Sequence, residues 1–321
     1  MFCSAELVKV PLTADHNVKF YNTHGESVLC TEESDLSMLE PCSQEEADTR
    51  ALLHLKHAVL NGHRKAFLRT ADTDWVVNAS FISTKLTELD QIWVGYGFGK
   101  TYRDIAAHEV AEGLGDQRCK ALPMFHHITG GDMSSALFNK GKEKAFAAWD
   151  IMGDELTRIL IVISENPLSF TIDSDEMSVL ERFIILQYDP KSKCQTLEEA
   201  RREMFLKQLK PLEAIPPTKH AAYQHIRRSI LPADEVYKAL YKQPDYLPTG
   251  DFGWVWNDRL QVWMPHWTDL PDVSKGVAAL NSCGCKKSCT GKCKCSRVPQ
   301  RCTSLCACEG MCANNEAFDD E

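Results

Sequence analysis

Long apolar runs are what this 321-residue chain most clearly lacks. Its longest candidate, Ile159–Ile163, is five residues, against the roughly 18 or more of a membrane-spanning helix, so a span is excluded. Proline and glycine are sparse, at 14 and 17 residues, which excludes fibrous and wholly disordered classes. The N-terminus, Met1-Phe-Cys-Ser-Ala-Glu-Leu-Val-Lys, has neither a basic opening nor an apolar stretch of signal-peptide length. An intracellular chain with room for one large or two medium domains is therefore expected. Positive charge is also in deficit, with 36 basic against 45 acidic residues and a net charge of −9. That balance argues against a protein that coats duplexes nonspecifically.

The deficit is uneven. Between Cys283 and Cys312 there are six basic residues and one acidic, a local +5 before the cysteines are counted. Nine of the chain's 14 cysteines lie in this stretch: Cys283, Cys285, Cys289, Cys293, Cys295, Cys302, Cys306, Cys308 and Cys312. The other five (Cys3, Cys30, Cys42, Cys119 and Cys194) are scattered and read as ordinary thiols.

An odd number cannot be satisfied by disulfides alone, and a reducing compartment argues against them. Few apolar residues accompany the cysteines, so no core holds the segment. Thiolates one and three residues apart suit tetrahedral Zn²⁺, with Zn–S bonds of about 2.3 Å. Three isolated four-ligand sites would need twelve sulfurs, whereas nine suffice if three of them bridge neighbouring ions, a Zn3Cys9-type cluster. The segment resembles the CXC modules of tesmin-type proteins, of dosage-compensation ubiquitin ligases and of the pre-SET region of histone methyltransferases. That resemblance implies a zinc cluster and makes DNA a candidate partner, with Lys286, Lys287, Lys292, Lys294, Arg297 and Arg301 on phosphates. The competing reading is a purely structural knot. Three Zn²⁺ and nine thiolates sum to −3, a charge that these six residues would offset.

Upstream, a capping box at Ser43 and Glu46, an apolar stripe from Ala47 to Val59 and the stop Asn61-Gly62 predict a helix over 43–62. Lys65–Thr70 reads as a strand, residues from Trp75 as a helix, Gln91–Gly97 as a second strand and Asp104–Leu114 as a second helix. This alternation predicts a parallel α/β sheet, whose ligands gather at the carboxyl ends of the strands. Asp72 and Asp74 follow the first of these strands. Glu46 and Asp48 sit at a helix N-terminus, where the dipole favours carboxylates, and Asp132 follows Gly130-Gly131. Five convergent carboxylates would repel one another without cations between them, and Mg²⁺ or Mn²⁺ suits oxygen donors. Two such ions about 4 Å apart clamp the attacking and leaving oxygens of a phosphodiester. Taken singly, D-x-D and E-E-A-D are commonly turn and capping motifs. In sequence, Glu46-Ala-Asp48, Asp72-Thr-Asp74 and Gly130-Gly-Asp132 resemble the acidic series of flap endonucleases in the PIN-like superfamily.

A broader likeness rests on EEADTRALLHL, the DTD, GFGKTYRDIAAHE, ALPMFHHITGGDMSSALFNKGK, the Trp-rich segment and the terminal CXC cluster. These strings resemble an uncharacterised, mobile-element-derived animal family over roughly residues 22–312. The resemblance implies a PIN-like fold with a nuclease-type site and a CXC tail. Two departures are expected to matter. That family reads T-G-C-D where Thr129-Gly-Gly131-Asp132 stands, which implies a local packing change. PIN-like nucleases also carry an Asp after their first strand. Here Val8–Pro11 and Val18–Cys30 are the candidate β segments and Asp15, in the polar turn Thr13-Ala-Asp-His-Asn, is the only Asp in that region, so N-terminal truncation relative to the family is expected.

Other motifs are weaker. Gly95-Tyr-Gly-Phe-Gly99-Lys-Thr101 is one residue short of a Walker A loop and reads as a glycine-rich turn. His108-Glu109 lacks the second His of a zinc-protease helix, and His126 and His127 read as packing residues beside the acidic site. Residues 133–245 carry no legible chemistry. Amphipathic helices are expected at 151–160, 176–187, 197–209 and 221–229, with Arg201-Arg202 and Arg227-Arg228 on solvated faces. Trp254, Trp256, Trp263 and Trp267 fall in a hairpin around Asn257-Asp258, read as a small aromatic core, with base stacking as the alternative.

The expected organisation is a PIN-like α/β domain over 1–150, a helical extension over 151–245, a Trp-rich hairpin over 246–271 and the CXC module over 283–312. The expected function is a Mg²⁺- or Mn²⁺-dependent, nuclease-like protein on DNA or RNA, with Glu46, Asp48, Asp72, Asp74 and Asp132 as metal-binding catalytic residues. The alternative is an inactive remnant that binds DNA or protein through its zinc tail. Nuclear rather than cytoplasmic residence follows from a DNA partner.

Overall fold

A computed structural model describes residues 18–132, 134–208, 214–271, 283–285, 295, 302 and 306–309. Val8–Pro11, Asp15, Cys289, Cys293, Cys312 and the six basic residues of the tail lie outside the described residues. The chain divides into two compact units, Met1–Trp267 and Thr268–Glu321. No compact-unit boundary falls at 150 or 245, and the boundary after Trp267 lies within the expected Trp-rich segment 246–271.

The first unit is mixed α/β. It opens with an antiparallel hairpin, β1 (Tyr21–His24) and β2 (Ser27–Cys30), followed by α1 (Ala47–Leu60). Helix α1 starts later than its sequence signals predict. Glu46 is its N-cap without a side-chain cap bond, and the Ser43 N–H donates instead to the Lys242 carbonyl at 3.0 Å, so the expected capping box is not formed. A three-stranded sheet follows, in the order β3–β4–β5, from β3 (Lys65–Thr70), β4 (Gln91–Tyr96) and β5 (Arg103–Ala106). Helix α2 (Asp74–Ser83) joins β3 to β4, which pair in parallel with Lys65 opposite Gln91.

Strand β5 departs from the expected all-parallel sheet. Residues 103–106 pair antiparallel to β4 with Tyr96 opposite Arg103, although a helix was expected from Asp104. The glycine-rich turn makes this possible. Gly97 has φ +85°, and a Cβ there would lie 2.8 Å from the Thr101 carbonyl oxygen, so only glycine allows the chain to reverse so tightly. No helix-period signal distinguishes Arg103–Ala106 from the helix that follows, α3 (Ala107–Leu114).

The remaining α-helices among the described residues are α4 (Asp116–Ile128), α5 (Lys142–Met152), α6 (Asp154–Glu165), α7 (Asp175–Tyr188), α8 (Leu197–Gln208) and α9 (Lys219–Tyr237). Helix α4 forms the centre, with every residue from Ala121 to Thr129 buried. Its Phe125 packs on Trp149 of α5, ring centroids 4.3 Å apart, and on Phe183 of α7 at 6.1 Å. A second core joins Leu52, Leu55 and Val59 of α1 to Phe81 and Ile82 of α2, Ile92 and Val94 of β4, and Val236 of α9. Burial of each such side chain stabilises by about 1.5–3 kcal/mol. Together the two cores fix the ends of α1, β3, α4 and α9 against one another.

Helix α9 runs through Pro232 rather than ending before it. Arg228, expected on a solvated face, is instead 3% exposed. Its guanidinium donates to the Gly253 and His266 carbonyls and lies 5.0 Å from the Trp267 ring centroid. It anchors the hairpin of β6 (Trp254–Asn257) and β7 (Val262–Pro265), which turns where the Asn257-Asp258 signal places it. Trp256 faces Trp263 at 5.4 Å between centroids, yet both remain about two-fifths exposed. The hairpin is therefore a half-solvated pair of rings, not a buried aromatic core.

Candidate metal centres

The first candidate site forms where five chain segments end together. β3 terminates at Thr70, whose hydroxyl accepts from the Asp72 N–H at 3.0 Å, and Asp72 Oδ1 accepts from the Asp74 N–H at the same distance. This local turn starts α2 and sets both acids at the carboxyl end of the strand. The N-terminus of α1 brings Glu46 and Asp48. The C-terminus of α4 brings His126 and His127, the loop beyond it Asp132, and α9 brings Glu235. Glu46, Asp48, Asp72, Asp74, Asp132 and Glu235 line one cleft of about 310 Å³ with His127. All five carboxylates expected from sequence thus share a cavity, and Glu235 is a sixth. Nothing in the sequence pointed to Glu235, because Pro232 reads as a helix stop, whereas Glu235 lies in the last turn of α9.

The acids are held differently. Asp74 Oδ1 lies 2.8 Å from Nε2 of His126, a histidine whose side chain is 3% exposed. That hydrogen bond, outweighing partial burial, holds the Asp74 carboxyl below its ordinary range, and nearby His126 and Lys142 act in the same direction. Asp48 accepts from Asn78 Nδ2 at 2.7 Å and from the Thr49 N–H at 2.8 Å. Burial nonetheless raises its pKa, with Glu46 and Asp74 adding to the rise. Glu235 is pushed up to about 7, first by burial and then by Glu46, Asp48 and other neighbouring acids. Asp72 and Asp132 are exposed.

The Asp132 loop is braced from below. Lys142 Nζ donates to the His126 and Gly130 carbonyls at 3.1 and 2.5 Å. Ser134 Oγ accepts from the Gly131 N–H at 2.9 Å and donates to the His127 carbonyl at 2.7 Å. His127 is buried with Nδ1 lacking a hydrogen-bond partner. Burial holds it neutral, with a pKa of about 3. Gly131 is required behind it, since a Cβ there would lie 2.8 Å from that Nδ1.

The acidic cleft presents oxygen donors around a void, the donor chemistry of Mg²⁺ or Mn²⁺. Its acids stand apart, however. Among the described residues, only four cysteines bring three or more ligand atoms within 4.8 Å of one another.

Those cysteines form the second site. Cys283, Cys295, Cys302 and Cys306 are all buried, with Cys283 and Cys302 sulfurs 4.0 Å apart and Cys295 and Cys306 sulfurs 3.6 Å apart. A disulfide needs about 2.05 Å, so neither pair is bonded. Tetrahedral Zn²⁺ with bonds of about 2.3 Å places its sulfurs about 3.8 Å apart, a value these distances bracket. The chemistry fits in charge as well. Burial raises the Cys295 thiol's pKa, and the Cys306 and Cys283 sulfurs raise it further. A bound cation is the means by which such a nest becomes thiolate. The set can hold a metal such as zinc. Cys308 is buried beside it and Cys285 half-buried.

A larger cleft, about 1260 Å³, lies along α1 and β3 and gathers no acidic cluster. Among the motif residues, His108 Nδ1 lies 3.0 Å from the Ile92 carbonyl, and Gly97–Thr101 lies in the connection between β4 and β5. No helix among the described residues is long and apolar enough to cross a membrane. No protein-family model, curated protein or solved structure matches the chain.

Proposed function

We propose that the chain is a divalent-metal-dependent, nuclease-like protein of the PIN-like, mobile-element-derived family suggested by its motifs. The observation that carries this reading is the convergence of Glu46, Asp48, Asp72, Asp74 and Asp132 on one cleft from segments that are remote in sequence. In this reading the five acids hold Mg²⁺ or Mn²⁺, and bound ions supply charge neutralisation and activated water for phosphodiester cleavage. The protein's part is positioning. His126 fixes Asp74, Asn78 fixes Asp48, and Lys142 braces the backbone before Asp132. The tail completes a Zn3Cys9-type cluster with the remaining cysteines and serves as a DNA contact, which favours a nuclear location.

The rival reading, a remnant that binds DNA or protein through its tail, is favoured by one observation. Asp74 and Asp48 already have protein partners, and the acids do not close to common ligand distances. Cleavage of end-labelled single-stranded and flap DNA, with Mn²⁺ or EDTA, separates the two. Mn²⁺-dependent cutting that disappears in Asp72→Asn/Asp74→Asn is expected for the nuclease. Absence of cutting, or cutting that survives the double substitution, would leave only the binding module.

A further inference from the structure

The acidic cleft contains a side chain that the packing around it leaves unpaired. His127 lines the cleft with Asp74 and Asp132 and is 6% exposed. Its Nδ1 is buried without a hydrogen-bond partner. Buried polar atoms are nearly always paired, and an exception calls for an ion or a catalytic role. The neighbouring histidines show the ordinary outcome. His126 Nε2 meets Asp74 Oδ1 at 2.8 Å. On α9, His225 places Nδ1 2.7 Å from Ser135 Oγ and Nε2 2.7 Å from the Ile128 carbonyl.

The chain fixes where the unpaired nitrogen stands. His127 lies in the last turn of α4, where Thr129 Oγ1 is 2.9 and 3.0 Å from the Phe125 and His126 carbonyls. Nδ1 faces Gly131, at which a Cβ would lie 2.8 Å from Nδ1 and 3.4 Å from Cε1. Any side chain there would fill the space beside the ring, and the next residue carries the Asp132 carboxylate. Asp74 is close enough for its charge to act on the same ring.

An imidazole among carboxylates changes which ion a cleft prefers. Mg²⁺ is a hard ion that seeks oxygen, whereas a nitrogen donor favours the transition metals. Among the described residues, no three ligand atoms of the cleft lie within 4.8 Å of one another, so an ion must draw carboxylates inward. Asp72 and Asp132 are exposed and can make that movement.

We propose that His127 is a metal ligand of this cleft and gives it a preference for a divalent transition-metal ion over Mg²⁺. The proposal rests on the metal-binding part of the reading above and narrows it to one class of ion.

Electron paramagnetic resonance of Mn²⁺ bound to the full chain, with the cysteine tail loaded with zinc, tests it. Mn²⁺ is paramagnetic, and as an oxygen-seeking ion it leaves the thiolates to zinc. In the wild type, the electron spin echo is expected to show coupling to a histidine nitrogen, and Mg²⁺ should displace Mn²⁺ only in large excess. His127→Ala should abolish the coupling and weaken Mn²⁺ binding by at least about tenfold, the least that even the support of a metal ligand is worth. Mg²⁺ binding should weaken less. Should that variant fail to fold, His126→Gln labelled with heavy-isotope histidine serves instead. It removes the other histidine of the cleft wall, and the coupling must persist with the isotope's signature.

Mn²⁺ bound without histidine coupling, or with coupling that survives His127→Ala, overturns the proposal and leaves a site of acids alone. No Mn²⁺ bound, or binding untouched by Asp72→Asn/Asp74→Asn, overturns it together with the metal reading. Histidine-coupled Mn²⁺ on a chain that cuts no DNA would uphold the ligand while the nuclease reading fails.

Discussion

The two candidate metal centres relate to their folds in opposite ways. In the first unit, apolar cores fix the ends of α1, β3, α4 and α9, and the acidic cleft is what remains between those ends. In the second, the buried cluster among the described residues is made of cysteines alone. The donors differ to match. Carboxylates held apart by protein partners leave room for hydrated, oxygen-seeking ions, whereas four sulfurs packed at tetrahedral edge length suit a dehydrated Zn²⁺.

The contrast is broken most severely by removing metal. Structural zinc binding contributes about 10–16 kcal/mol of folding free energy. A strong chelator is expected to unfold the cysteine unit entirely while the far-UV circular dichroism of the helical unit persists. Cys295→Ser should lower zinc content by at least one ion per chain, measured by elemental analysis. Loss of helix on chelation would show that the first unit, too, depends on a metal for its fold.

The next largest effect is expected within the cleft. His126→Ala leaves Asp74 partly buried without its partner, at about 3 kcal/mol, read from urea denaturation at neutral pH. Because the Asp74 pKa is lowered in the folded state, the pair's contribution is fully present above the ordinary Asp range. It is lost as pH falls through the lowered value. The gap between wild type and variant should therefore close in acid. His126→Gln, which keeps a donor, should recover part of the loss.

These partners also mark where sequence reading stops. The strand Lys65–Thr70 and the acids beyond it were legible because a short β run followed by D-x-D encodes both the element and its end. The cysteine spacing was legible because metal geometry requires little else. His126 was not, since a histidine at a helix end is equally compatible with packing, and only the 52-residue return to Asp74 separates the two. Glu235 was hidden by Pro232, which local rules take as a helix stop but which α9 absorbs. β5 was hidden because its residues continue the period of α3. Each miss is a tertiary contact overriding a local preference.

A smaller change probes the wall behind the acids. Gly131→Ala places a Cβ 2.8 Å from His127 Nδ1, so the buried ring or the Asp132 loop must move. Overpacking of this kind costs about 1–3 kcal/mol. A thermal shift is expected without any change in zinc content. Unchanged thermal stability would mean that the loop yields freely and that Asp132 is not held by His127.

The smallest expected effect tests the cleft's own repulsion. Glu235 has an ordinary pKa of 4.5 and is raised to about 7 in the fold. Its ionised form is therefore the destabilised one. Below pH 4.5 both folded and unfolded chains hold the proton and no penalty arises. The penalty grows as pH rises from 4.5 to about 7 and is constant above. The full shift corresponds to about 3.4 kcal/mol, which solvent screening of this half-buried group reduces to about 1–2 kcal/mol. Glu235→Gln should thus match wild type near pH 4 and exceed it at pH 8, measured as a difference in midpoint temperature. Mn²⁺ sharpens the test. An ion that uses Glu235 would relieve the penalty in wild type and close the gap at pH 8. An ion held only by the five acids nearer β3 and α1 would raise both proteins equally, and a gap that Mn²⁺ left intact with neither protein stabilised would count against any metal in the cleft.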